Sequence, residues 1–436
     1  MKTRREALKF IGGATLGGLL AGCAPTATPT PAPTPTPAVV EKIVEKPVER
    51  GVVAKAVLPA ASKRVVILGG GISGAMCART LRKLVPESEV VVVEKNPTWV
   101  SGPSHVDYIV GIEDLAKVTV GFDALRRDGV KVLRATAVEV RPAENRVITS
   151  VGFVDYNVLV VATGIVPVEE EIKGLPENSH LNYHAWEWEK TVELRRAIEA
   201  FKGGVFVISV PPAPYKCPPG PYEVACVVQE YWQKKGIDAE IVIVDANDKP
   251  QPGPLAERWK EVLAARGITH KPNFKVVEFD PHNKQVISDK DEKQSYDLVS
   301  IIPPQKAALF VRESGLGDPF IEVDPATFQS KQYENVYAFG DGAKVPFTKS
   351  AFTAFLQGQF AAYSIARALG VDKGDPGTVF NQCWPYVSAD EALFVAAAWD
   401  KAGQLVADKS ATGGVSADHA KQRKAWEYGI LNTAYG

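Results

Sequence analysis

Residues 63–94 read KRVVILGGGISGAMCARTLRKLVPESEVVVVE. Lys63–Leu68 is a short, wholly apolar run after its first two residues, the composition of a strand buried on both faces. Gly69, Gly71 and Gly74 then fall in G-x-G-x-x-G spacing, and Ala75 to Val85 continues with helix-forming residues. A second valine-rich strand, Glu89–Val93, ends in Glu94. Strand, glycine loop, helix, strand and terminal acid within about 30 residues form a dinucleotide-binding unit. The glycines let the backbone approach a pyrophosphate at a helix N-terminus, and Glu94 is placed to accept from a ribose hydroxyl.

Around that unit the composition is that of a large globular protein. The chain has 436 residues, 45% hydrophobic and 23% charged, enough for two or three packed cores. Its formal net charge of −1 lacks the basic excess of a nucleic-acid binder. Five cysteines are too few for a disulfide scaffold, and the six histidines show no metal-ligand spacing, so no metal is expected.

The N-terminus reads as an address. Arg4-Arg5 precedes a short apolar run, Ile11 to Gly22, below the roughly 20 residues of a membrane span. Twin arginine plus h-region predicts a Tat-type signal over 1–22, and Leu20-Ala21-Gly22-Cys23 resembles a lipobox with Cys23 as the lipidation site. The expectation is an exported protein on the periplasmic or other extracytoplasmic face, held to the membrane by its lipid anchor only. Pro alternating with Thr and Ala, then a charged stretch, makes 23–61 a tether.

Two later segments narrow the class. Asp155–Gly164 is a strand running into Thr163-Gly164, and Asn335–Asp341 is a strand ending in Gly340-Asp341. Both resemble hallmarks of flavoproteins with two dinucleotide-binding domains of the disulfide-reductase type. That resemblance implies FAD, with Asp341 on its ribityl chain and a helix from Ser350 to Leu369 directing its N-terminus at the isoalloxazine. The fold class expected is α/β, two Rossmann-like domains plus a smaller C-terminal domain. The FAD domain is set at 62–180 and 296–368, the second nucleotide-binding domain at 181–295, and the C-terminal domain at 369–436. The second unit begins with the strand Gly204–Val210, but Pro211–Glu223 (PPAPYKCPPGPYE) stands where a glycine loop belongs. Prolines remove N–H donors, so this domain is degenerate and its flavin is not reduced by a nicotinamide.

Lys216-Cys217-Pro-Pro-Gly-Pro-Tyr-Glu223, Ile301–Lys306, Phe380–Cys383 and the tail from Trp426 to Gly436 resemble the flavoprotein subunit of flavocytochrome c sulfide dehydrogenase, within the sulfide:quinone oxidoreductase group. The resemblance implies a redox disulfide between Cys217 and Cys383 that hydrosulfide opens, FAD as electron acceptor, and a separate haem-bearing cytochrome c subunit as partner. Glu223 matches a family acid that shuttles protons, and Trp426 an aromatic lying against the flavin. A thiol in a loop that opens a helix also gains access and a favourable dipole. Cys77 and Cys226 read as packing residues. No cysteine stands between Asn96 and His105, where family members attach FAD, so non-covalent FAD is expected. A sulfide:quinone oxidoreductase, or a non-catalytic lipid-tethered flavin electron-transfer protein, are the alternatives; the charged segment Ala417–Trp426 favours the cytochrome acceptor.

Overall fold

The computed structural model describes residues 55–436. The twin arginine, Cys23 and the tether up to residue 54 lie outside the described residues. Arg64–Leu68 is buried along its whole length and lies between Glu89–Glu94 and Val158–Val161, all parallel, with Val66 opposite Val91 and Leu159. Lys131–Arg134 and Val336–Ala338 add the two edges of a five-stranded parallel sheet. Helices Ile72–Leu84 and Ala351–Ala368 lie together over one face. They can approach because Gly358 has no side chain: a Cβ there would sit 2.1 Å from the Ser73 carbonyl oxygen. The antiparallel meander Ala137–Arg141, Arg146–Thr149 and Gly152–Asp155 packs on the other face.

A second parallel sheet runs in the order Thr269–Pro272, Ala239–Asp245, Gly204–Val210, Leu298–Ile301. Helices Trp188–Ala200, Gly220–Lys234 and Ala256–Ala265 share its first core, and the strands Val276–Asp280 and Gln285–Ser288 cover its other face. Leu298–Ile301, which sequence reading assigned to the FAD piece beginning at 296, pairs with Gly204–Val210 instead. The second sheet thus keeps its fourth strand beyond the expected boundary.

The C-terminal strands Phe380–Cys383, Ala392–Ala398 and Ala411–Ser416 are antiparallel and lead into the helix Ala417–Tyr435. This unit divides its apolar residues between its neighbours. Trp399, Leu431 and Tyr435 enter the core of the first sheet, while Trp384, Tyr386 and Leu393 enter that of the second. It is a clamp across both. One further expectation is corrected: the tether does not run free to residue 61. Phe153 donates its N–H to the Lys55 carbonyl at 3.0 Å, and Val57 donates to Phe153 at 2.9 Å, so the last tether residues extend the meander. Among the described residues no helix is long and apolar enough to cross a membrane.

Candidate active site

The glycine loop has the form its spacing predicted. Gly69 turns at φ +96°, and a Cβ on Gly74 would lie 2.0 Å from the Gly69 carbonyl oxygen, so neither position accepts a side chain. Gly71 caps the helix Ile72–Leu84. Glu94 accepts from the Gly70 N–H at 2.7 Å and the Asn96 N–H at 2.8 Å, which fixes the acid against the loop and leaves lone pairs for a ribose. The other motifs converge here. A Cβ on Gly342 would meet the Gly164 carbonyl oxygen at 2.6 Å, and one on Gly340 would meet Ser73 Oγ at 3.2 Å. Gly340 donates its N–H to Gln357 Oε1 at 2.8 Å. Thr163 Oγ1, Asp341 Oδ1 and Trp426 Nε1 are buried without a protein partner. Buried polar atoms of this kind require one, and all three lie on residues expected to face FAD; the site fits that cofactor. Sequence reading did not find the role of Tyr435, whose hydroxyl donates to the Gly70 carbonyl at 2.9 Å and whose ring stacks on Trp99.

Both cysteine segments hang from one helix start. Cys217 donates its N–H to the Lys349 carbonyl at 2.8 Å. Ser350, the N-cap of Ala351–Ala368, accepts from Thr353 N–H and donates to Asn381 Oδ1 at 2.7 Å; Thr353 Oγ1 donates to the same oxygen. Asn381 lies two residues before Cys383 on its strand. Lys349 is buried, donates to the carbonyls of Asp341 (2.5 Å) and Ala343 (3.0 Å), and sits over the Phe320 ring at 4.1 Å. Adjacent residues 349 and 350 therefore fix the Asp341 turn, the Cys217 loop and the Cys383 strand relative to one another. Trp426 stands beside this helix start, 6.1 Å from Phe352 and 5.8 Å from Trp384 between ring centres.

Cys217 and Cys383 are both half-buried free thiols. Cys217 adopts φ +57°, a conformation that favours glycine, and precedes the helix Gly220–Lys234 by three residues. The dipole expected to lower its pKa does not prevail. Burial, then the Glu223 charge, push the Cys217 thiol up to about 12, against the pull of Arg423 and Lys216. Burial, then Glu223 and Cys217, raise Cys383 as well. The two thiols thus share one electrostatic environment. Cys77 and Cys226 are core residues.

Glu223 is no solvated helix acid. It is 1% exposed, accepts from the Tyr386 N–H at 2.9 Å and pairs with Arg423. Arg423 also reaches the carbonyls of Trp384 (3.2 Å) and Pro103 (3.0 Å) and Asp107 Oδ2 (3.1 Å), and lies over the Tyr386 ring. Burial opposes charging Arg423, but Glu223 and Asp107 outweigh it and hold the guanidinium ionised. One turn on, Glu427 accepts from the hydroxyls of Ser101 and Ser104. Asp107, Arg423 and Glu427 were not legible as site residues; the only signal was an Arg/Glu pair at i, i+4 in a charged run. Among the described residues no group of His, Cys, Asp and Glu is arranged to hold a metal.

The second nucleotide-like unit is closed. Asp245 ends its second strand where Glu94 ends the first unit's, yet it is fully buried and spent on Tyr222 Oη (2.6 Å), His270 Nε2 (2.9 Å) and Asn247. In the proline loop, Ala213 and Lys216 donate their N–H groups to Asn247 and Gln305, as Cys217 does to Lys349.

The two sheets, the crossing glycine motifs and the clamp define the pyridine nucleotide-disulphide oxidoreductase fold. The family described as pyridine nucleotide-disulphide oxidoreductase matches residues 63–200. The family described as the central part of the sulfide dehydrogenase [flavocytochrome c] flavoprotein chain matches 191–303. The chain is 28% identical over 316 residues to the mitochondrial sulfide:quinone oxidoreductase of Dictyostelium discoideum, covering 66% of this chain and 67% of that one. It is 25% identical over 307 residues to the mouse protein of the same name, with 66% and 67% covered. The crystal structure of the sulfide:quinone oxidoreductase from Aquifex aeolicus superposes with a TM-score of 0.73 at 18% identity, over 86% of this chain and 92% of that one. Together these matches show a chain similar to sulfide:quinone oxidoreductases and to the flavocytochrome c sulfide dehydrogenase flavoprotein, on a shared pyridine nucleotide-disulphide oxidoreductase fold.

Proposed function

We propose that this chain is an FAD-dependent sulfide dehydrogenase that oxidises hydrosulfide through a Cys217–Cys383 redox pair. The observation that carries this reading is the attachment of both cysteine segments to residues 349–353, at the start of the helix that follows Asp341. In the oxidised pair, hydrosulfide attacks one sulfur and the S–S bond breaks. A persulfide remains on one cysteine, and the other leaves as a thiolate beside Glu223 and Arg423. FAD, bound without a covalent link, would supply a two-electron acceptor able to release electrons one at a time. Gly69, Gly71, Gly74 and Glu94 would hold its nucleotide half, and Thr163, Gly164, Gly340, Asp341 and Ser350 would hold its ribityl and ring half. Trp426 closes the site and excludes water. Glu223 accepts or returns a proton at the sulfurs.

Cytochrome c, on a separate haem-bearing subunit, is the acceptor we favour; the match of residues 191–303 to the flavocytochrome c flavoprotein chain supports it. Quinone is the second reading, supported by the names of the curated relatives. The twin arginine and lipobox support export and attachment by lipid at Cys23. Anaerobic sulfide should bleach the flavin of the purified holoprotein. Cytochrome c, rather than a short-chain quinone, should restore the colour within the turnover time. Cys217→Ser and Cys383→Ser should each abolish bleaching while FAD stays bound, and the two losses should not add. Bleaching at near wild-type rate in either variant refutes the redox pair; faster reoxidation by quinone refutes the cytochrome.

A further inference from the structure

Four charged side chains from all three units form one buried cluster, and two of them, Glu223 and Arg423, act on both cysteines. Glu223, Arg423, Asp107 and Glu427 are 1%, 4%, 2% and 4% exposed. Arg423 bonds Glu223 and Asp107 directly. Glu427 is the carboxylate it leaves to the hydroxyls of Ser101 and Ser104, the latter at 2.5 Å. Fully ionised, three carboxylates against one guanidinium would leave an excess of two negative charges in a space closed to water. Opening the cysteine pair adds a thiolate to the same field, where Glu223 already disfavours one on either cysteine. Uncompensated buried charge is relieved by taking up a proton.

We propose that Glu427 is a positioning residue that carries a proton in the resting enzyme, and that its charge state governs how readily the Cys217–Cys383 pair opens to hydrosulfide. This rests on the sulfide-oxidising reading above. The step balances as written there: one S–S bond forms, one breaks, and the single negative charge of hydrosulfide becomes that of the leaving thiolate. With Glu427 neutral, that charge forms against one fewer buried anion. Glu427 is the group for this role because Arg423 bonds Glu223 and Asp107 directly, whereas Glu427 is left with the hydroxyls of Ser101 and Ser104. Its pKa is raised to about 7 by burial and then by Asp107, while Arg423, Ser101 and Ser104 oppose the rise. The other titratable groups facing the cluster include Tyr386 over Arg423, Tyr428 next to Glu427 on the helix with Glu113 accepting from its hydroxyl, the two cysteines, and Lys216, which pulls on Cys217.

The test is stopped-flow flavin bleaching by sulfide on the FAD-loaded wild type, Glu427→Gln and Ser104→Ala, across neutral pH. Dividing variant by wild-type rates at each pH cancels hydrosulfide's own ionisation. The Glu427→Gln ratio should rise about tenfold from the acid to the alkaline side of neutrality, the effect of one charge acting through a protein interior. Ser104→Ala removes a donor to the ionised form, so its rates should fall off at higher pH than those of the wild type. A pH-independent Glu427→Gln ratio, or a Ser104→Ala inflection at unchanged or lower pH, overturns the proposal. A wild type that sulfide fails to bleach at any pH overturns the sulfide reading and this proposal with it.

Discussion

Replacing Arg423 by methionine tests whether one guanidinium locks the three units together. Its side chain is 4% exposed and bonds Pro103 and Asp107 from the first unit, Glu223 from the second and Trp384 from the third. Methionine fills much of the volume but leaves Glu223 and Asp107 buried without a cation. Breaking a buried ion pair by removing one partner costs about 3–5 kcal/mol. The loss should depend on pH with a definite sign. Burial already raises Glu223 and Arg423 opposes that rise, so without Arg423 the Glu223 carboxyl titrates further above its unfolded value of about 4 and the native state holds a proton that the unfolded chain has released. Destabilisation is therefore largest at alkaline pH and shrinks as pH falls toward that range. Urea unfolding of the holoprotein, followed by tryptophan fluorescence at pH 5 and pH 8, reads both quantities. Adding Glu223→Gln to the variant should recover more than about 1 kcal/mol, since an amide can be buried without a counter-charge. A loss below about 1 kcal/mol at pH 8, or one equal at both pH values, would refute the claim that Arg423 is the counter-charge of the cluster.

NADH and NADPH should not reduce the flavin, because Asp245 is spent on Tyr222, His270 and Asn247 and the proline loop offers no free cradle of amides; rapid bleaching by either at sub-millimolar concentration would sink this. Acid or heat precipitation should release FAD into the supernatant, since no cysteine lies between Asn96 and His105; yellow colour retained on the washed pellet would disprove non-covalent binding. Cys23→Ser should free the exported protein from the membrane fraction, and a variant that stays with the membrane would show the lipid anchor to be wrong.

What the sequence made legible, and what it hid, divides along the range of the interactions. Gly69, Gly71, Gly74 and Glu94 are readable because their task is local: a backbone that must turn or approach tolerates only glycine, wherever it sits. The strand Leu298–Ile301 was misassigned because its partner lies about a hundred residues upstream, and nothing in its own four residues names that partner. Lys55 to Val57 looked like tether for the same reason. The site shows the contrast more sharply. Cys217, three residues before a helix, invited a depressed pKa, but a helix dipole is worth at most about 2 kcal/mol and burial beside Glu223 exceeds it. Arg423 and Glu427 sit in a run whose neighbours Lys421 and Lys424 are ordinary surface charges, so the two inward members looked like the rest. Only the arrival of Asp107 and Glu223 from two other units distinguishes them. The charge field around the cysteines is therefore a property of the clamp, assembled when the C-terminal helix docks across both sheets. Chemistry at Cys217 and Cys383 should then depend on residues 417–435 being in place, even though the sulfurs are carried elsewhere.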